Sequence, residues 1–115
     1  MITLWHNPRC SKSRQTLALI EASGTKVKIR RYLEDAPSLA ELEAARSALG
    51  LSPIAMMRTG EARFKELGLR KDSDDALLMQ AMADAPILIE RPIAFKGTKA
   101  VIGRPPEAVN ALLSD

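Results

Sequence analysis

The opening of the chain most constrains what it can fold into, because its hydrophobic period changes twice within about thirty residues. Ile2, Leu4 and Trp5 form a short apolar strand pattern, Asn7-Pro8 breaks it, and Ser11 to Ala22 takes up helical spacing that Gly24 stops. Thr16, Leu17 and Ile20 mark the buried side of that helix. Val27, Ile29 and Arg31 then alternate with Lys28, Arg30 and Tyr32, so a second strand is expected, with Arg31 the polar member of an otherwise apolar face. Two strands separated by one helix are most simply parallel neighbours joined by a crossover. A chain of 115 residues has room for one core around this unit, so a single layered α/β domain over 1–115 is expected.

The middle of the chain reads as helical. Ser38 with Glu41 three positions later is a capping-box pattern ahead of Leu39, Leu42 and Leu49, and Gly50 closes that helix. Pro53 suits a first helical turn before Ile54, Met56 and Met57, and a short helix fits Glu61 to Leu67 before Gly68. A longer helix follows Ser73 or Asp74, with Leu77, Leu78, Ala81 and Met82 as its core face. The last third returns to strands. Ile87 to Ile89 leads through Glu90-Arg91-Pro92 to Ile93, Ala94 and Phe95, and Lys96-Gly97-Thr98 turns the chain into Ala100 to Ile102. Pro105-Pro106 opens a final amphipathic helix carrying Val109, Leu112 and Leu113.

Composition removes several function classes. Hydrophobic residues at 46% and charged residues at 27% are ordinary globular values, and the single cysteine, Cys10, excludes a disulfide framework or a four-cysteine metal site. No apolar run approaches the roughly 20 residues that span a bilayer, and the N-terminus lacks a basic stretch followed by a long apolar one, so a cytoplasmic location with no membrane partner is expected. The net charge of +3 is small, and the few aromatic residues and the brevity of Arg30-Arg31 argue against direct nucleic-acid binding.

The chemistry is concentrated between His6 and Arg14. Cys10 falls at a strand-to-helix junction, where unpaired amide N–H groups and the positive end of a helix favour a thiolate. Arg9, Lys12 and Arg14 add positive charge, His6 is a further candidate cation, and the next carboxylate along the chain is Glu21. Ser11, Ser13 and Arg14 together with the loop amides suit a tetrahedral oxyanion. The alternative reading makes Cys10 a small buried hydrophobe and Lys12 and Arg14 the solvated face of a helix. Because Ser13 occupies the third position after Cys10, no C-x-x-C dithiol exists, and a redox cycle requires an external thiol.

The motifs His6-Asn7-Pro8-x-Cys10-x-x-Ser13-Arg14, Leu33-Glu34, Arg58, Glu66-Leu67-Gly68-Leu69, Pro86-Ile87-Leu88-Ile89-x-Arg91-Pro92-Ile93 and Arg104-Pro105 resemble the glutaredoxin-dependent arsenate reductase family over nearly the whole chain. The resemblance implies a thioredoxin-like fold with a mixed sheet and a helical insertion at about 38–84. It also implies that Cys10 attacks arsenate, that Arg58, Arg91 and Arg104 hold the oxyanion and the arsenic–thiol intermediates, and that His6 favours the thiolate. Pro92 corresponds to a cis proline packed beside the reactive cysteine. Glutathione follows as co-substrate and glutaredoxin as partner, with no bound cofactor and no metal. Two other functions fit the same residues: a glutathione-linked thiol oxidoreductase acting on another oxyanion or a mixed disulfide, and a non-enzymatic module that binds a protein through the helical insertion.

Overall fold

In a computed structural model, which describes residues 1–113, the chain packs into two compact units, one made of residues 1–35 and 91–113 and the other Ala36–Glu90. Residues 114 and 115, the end of the expected 1–115 span, lie outside the described residues.

The first unit holds a four-stranded sheet in the order β2-β1-β3-β4, where β1 is Ile2–Trp5, β2 Val27–Arg30, β3 Ile93–Lys96 and β4 Lys99–Ile102. As expected, β1 and β2 are parallel, with Ile2 opposite Val27, and helix α1, Ser11–Ala22, connects them. β3 runs antiparallel to β1, with Leu4 opposite Ala94, and forms a hairpin with β4. This is the mixed sheet that the family resemblance implies. Burial follows strand position: Ile2 and Leu4 of β1 and Ile93 and Ala94 of β3 are fully buried at the centre, whereas every residue of β2 and β4 keeps some exposure at the edges. Ile2, Leu4, Ile20, Ala94, Val109 and Leu112 form the core. The chain reaches it again through a tight helical turn, Pro106–Val109, which packs against α1, and a short final helix, α5, Asn110–Leu113, which packs against β4.

The expected faces of β2 need correction. Ile29 is 44% exposed, and Arg30 is the better covered residue because its guanidinium lies 5.8 Å from the Trp5 ring and 3.3 Å from an Asp35 carboxylate oxygen. Arg31 is exposed and Tyr32 is buried just beyond the strand. An edge strand permits this, because a long side chain can cover an aromatic ring with its stem and keep its charge near water.

The second unit is helical: α2 is Leu39–Leu49, α3 Ala62–Glu66 and α4 Asp75–Asp84, with single tight turns at Pro53–Met56 and Pro86–Leu88. The capping box forms, since the Ser38 hydroxyl accepts from Glu41 N–H at 3.1 Å while a Glu41 carboxylate oxygen accepts from Ser38 N–H at 3.0 Å. Gly50 ends α2 at φ +67, a conformation that residues with a Cβ rarely adopt. α2 and α4 pack together, and Leu42, Leu78, Met79 and Met82 are buried. Leu77, expected in the core, is 53% exposed, and Met79 is buried on α4 alongside Leu78 and Met82. Residues Ile87 to Ile89 were expected to lead a strand; Pro86 instead starts a tight turn, and only Ile89 makes a ladder contact, a single antiparallel bridge to Met57.

Candidate active site

Cys10 is the N-cap of α1, with extended backbone angles of φ −94 and ψ 122, and the residue is 8% exposed. The turn that delivers it is built by Asn7. The Asn7 carbonyl accepts Cys10 N–H at 3.0 Å, and the Asn7 side-chain oxygen accepts Arg9 N–H at 3.0 Å. The Cys10 carbonyl begins the helix by accepting Arg14 N–H at 3.0 Å. Burial pushes the Cys10 thiol up, but the Ser13 backbone N–H, the Arg91 guanidinium and the Lys12 backbone N–H outweigh it and hold the thiol below its ordinary value. The sequence-level alternative of a buried, inert cysteine therefore misses the donors directed at the sulfur.

Two of the expected arginines meet this sulfur. Arg91 stabilises the thiolate by hydrogen bonding and by charge, and its Nε and Nη1 atoms are buried. Arg104 donates from Nε to the Arg91 carbonyl at 2.8 Å and places Nη2 3.7 Å from the Cys10 sulfur. The Arg91–Pro92 peptide is cis, the isomer that the resemblance implied, and so is Arg104–Pro105. Arg58 belongs to the helical unit, where its Nε donates to Glu61 at 3.0 Å and its Nη1 to Glu90 at 3.4 Å.

The remaining expected residues divide by burial. Ser11, Lys12 and Arg14 are exposed on α1, and Arg14 also donates from Nη1 to the Pro8 carbonyl at 3.0 Å. Ser13 is fully buried, and its hydroxyl oxygen accepts Asn7 N–H at 3.0 Å and lies 2.6 Å from His6 Nδ1. That hydroxyl is engaged inside the loop, so Ser13 supplies the sulfur with its backbone N–H and does not present its side chain to an oxyanion. For His6, burial, then the charges of Arg31 and Arg14, lower the pKa against a smaller opposing effect of Glu21, which disfavours the imidazolium.

Sequence reading missed Gly103. A Cβ there would stand 2.5 Å from Thr16 Oγ1 and 2.8 Å from Pro92 Cγ, while Gly103 N–H donates to the Pro92 carbonyl at 2.9 Å. The end of β4 thus passes α1 and Pro92 at a distance only glycine allows, one residue before Arg104. A glycine next to an Arg-Pro pair after a predicted strand was the available signal.

The model of the ArsC family matches residues 5–112. The chain belongs to the ArsC family. Among curated relatives, an arsenate reductase of Neisseria meningitidis is 45% identical over 114 residues, covering 97% of each chain. The arsenate reductase of Haemophilus influenzae is 44% identical over 114 residues, covering 97% of this chain and 98% of that one. Among solved structures, an arsenate reductase from Vibrio cholerae superposes with a TM-score of 0.92 at 46% identity, covering 96% of this chain and 95% of its own. The thioredoxin-like α/β fold with helical insertions follows from this ArsC-family likeness, as does an enzymatic, redox-active function. No helix among the described residues is long and apolar enough to cross a membrane.

Proposed function

We propose that the chain is an arsenate reductase in which the Cys10 thiolate forms a covalent bond to arsenic, glutathione is the co-substrate and glutaredoxin the partner. The observation that carries this reading is a lone cysteine, held below its ordinary pKa by the Ser13 and Lys12 amides and Arg91, with Arg104 Nη2 3.7 Å from its sulfur. A thiolate faced by guanidinium donors suits a tetrahedral oxyanion, because planar guanidinium forks can engage two oxygens of one anion.

In the proposed cycle the sulfur attacks arsenic while one As–O bond breaks; thiolate, dihydrogen arsenate and one proton give the S–As(V) adduct and water. The glutathione thiol then displaces a second oxygen as water. A glutaredoxin thiolate attacks the glutathione sulfur, the S–S bond forms, and the electron pair of the broken S–As bond stays on arsenic as As(III). Water hydrolyses the remaining Cys10–As(III) bond, releasing arsenite and the free thiol. Arg91 and Arg104 stabilise the oxygen charge through these steps, Ser11 and Arg14 contribute at the exposed end of α1, and His6 and Ser13 hold the loop. Arg58 enters the proposal on the family pattern, and engaging an oxyanion would require it to exchange its contact with Glu61 or Glu90. Residues 1–115 would act in this cycle as one domain with its helical insertion at about 38–84.

The test is NADPH consumption coupled through glutathione reductase, with arsenate, glutathione and a panel of glutaredoxins. Consumption is expected only when arsenate is present and is expected to vanish in Cys10→Ser. Turnover of glutathione mixed disulfides without turnover of arsenate would instead assign the thiol oxidoreductase function.

A further inference from the structure

The loop that carries Cys10 places the His6 and Ser13 side chains in its interior. His6 is 6% exposed, Asn7 8% and Ser13 0%, and a polar side chain buried to this extent needs its hydrogen bonds accounted for. The Ser13 oxygen receives Asn7 N–H at 3.0 Å and stands 2.6 Å from His6 Nδ1. A hydroxyl has one proton to give, and with Asn7 N–H on one of its lone pairs, the short contact to the ring is where that proton fits. The reverse direction would place a proton on Nδ1 and leave the hydroxyl proton needing another acceptor inside a buried site.

The consequence reaches Cys10 through the backbone. Asn7, held at its amide by the Ser13 oxygen, uses its own carbonyl to accept Cys10 N–H at 3.0 Å. Ser13 also belongs to the first turn of α1, and its backbone N–H is one of the groups that stabilise the sulfur. One residue therefore ties the loop before Cys10 to the helix turn after it.

We propose that His6 and Ser13 form a positioning pair: Nδ1 of the imidazole takes the Ser13 hydroxyl proton, and the Ser13 oxygen holds the Asn7 amide, so that the loop keeps its backbone donors on the Cys10 sulfur. The pair rests on the reading of Cys10 as the nucleophile, and it assigns His6 the work of a hydrogen-bond acceptor. Burial and the nearby charges of Arg31 and Arg14 favour the same assignment, since they oppose an imidazolium.

The experiment is the pH dependence of Cys10 alkylation by iodoacetamide, read by intact mass; with one cysteine in the chain, every added mass reports this thiol. Ser13→Ala and His6→Leu are each expected to raise the alkylation midpoint by about one pH unit, the scale of weakening a donor to a thiolate. The double variant is expected to shift no further than the larger single one. His6→Asn, which keeps an acceptor near the Nδ1 position, is expected to hold the parent midpoint, and His6→Lys is not. An unchanged midpoint in Ser13→Ala, additive shifts in the double variant, or rescue by His6→Lys in place of His6→Asn would overturn the pair. Circular dichroism of each variant checks folding, and if His6→Leu does not fold, Ser13→Ala and His6→Asn carry the comparison. Alkylation involves no arsenate, so a shifted midpoint in a protein that turns over no arsenate would sustain the pair and remove the proposed function. Arsenate turnover by the parent with no shift in Ser13→Ala would do the opposite.

Discussion

The strand-bearing unit and the helical unit use arginine in different ways. In the helical unit, Arg58 closes onto two carboxylates, Glu61 at 3.0 Å and Glu90 at 3.4 Å, and joins residues 32 positions apart in sequence. In the strand-bearing unit, Arg91 and Arg104 bear on a sulfur, and Arg104 orients itself by donating to the Arg91 carbonyl. The chemical group is the same and its acceptor decides its work. Against carboxylates a guanidinium ties chain segments together; against a thiol it favours the anion.

Replacing one arginine in each unit tests this contrast, and the largest effect is expected at the sulfur. Arg91→Ala should raise the Cys10 alkylation midpoint and lower kcat/KM for arsenate roughly 10- to 100-fold, the scale of losing a hydrogen bond to a charged group, about 1.5–3 kcal/mol. Arg91→Lys should recover little of this, because a point charge does not reproduce a planar fork. Arg58→Ala should instead lower stability by about 1–2 kcal/mol, read by urea denaturation, since it leaves two half-buried carboxylates without this partner. If Arg58→Ala left the unfolding midpoint in place and removed turnover, the contrast would collapse, and Arg58 would serve the oxyanion in place of its two carboxylates.

The glycines sharpen the comparison with effects of similar or smaller size. Gly103→Ala in the strand-bearing unit should cost about 1–3 kcal/mol by overpacking against Thr16 and Pro92, and should also lower turnover by moving Arg104. Gly50→Ala in the helical unit meets nothing within 4 Å but sits at φ +67, so its cost should be about 1 kcal/mol, with kcat/KM unchanged. Equal losses of activity in the two variants would show that the close approach at Gly103 does not position the site.

Much of this arrangement is legible in the sequence because it is set locally. The ends of α1, the Ser38–Glu41 capping box and the glycine after α2 depend on neighbours within four residues, and so does the placement of Cys10 at a helix start. What periodicity misses depends on contacts distant in sequence. Arg30 rather than Ile29 is covered because Trp5 lies on the neighbouring strand, and Pro86 turns the chain where three apolar residues suggested a strand. At the site, charge counting along the loop made His6 a candidate cation, whereas burial and Arg31, distant in sequence, disfavour its charged form. Gly103 was missed for the same reason: its neighbours in sequence mark a turn, but its restriction comes from Thr16 and Pro92.

The smallest effect expected is a pH dependence of stability. The folded state disfavours the His6 imidazolium, so its folded pKa lies below the ordinary value of about 6.5. As pH falls below that value the unfolded chain takes up the proton first, and stability declines until the folded pKa is reached. Cys10 contributes with its folded pKa also lowered: its stabilisation is complete above the unfolded thiol pKa and is lost as pH falls through the folded value. Urea midpoints of His6→Asn should therefore fall less steeply than those of the parent as pH drops below about 6.5; parallel slopes would contradict the burial argument.

The central claim is that Cys10 forms the bond to arsenic, and intact-mass spectrometry of the protein incubated with arsenate and glutathione, quenched before glutaredoxin is added, tests it directly. The expected result is a mass increase matching one arsenic bearing one glutathione, absent in Cys10→Ser and discharged as arsenite when glutaredoxin is supplied. An unmodified protein that nevertheless turns over arsenate, or an adduct that persists in Cys10→Ser, would contradict it.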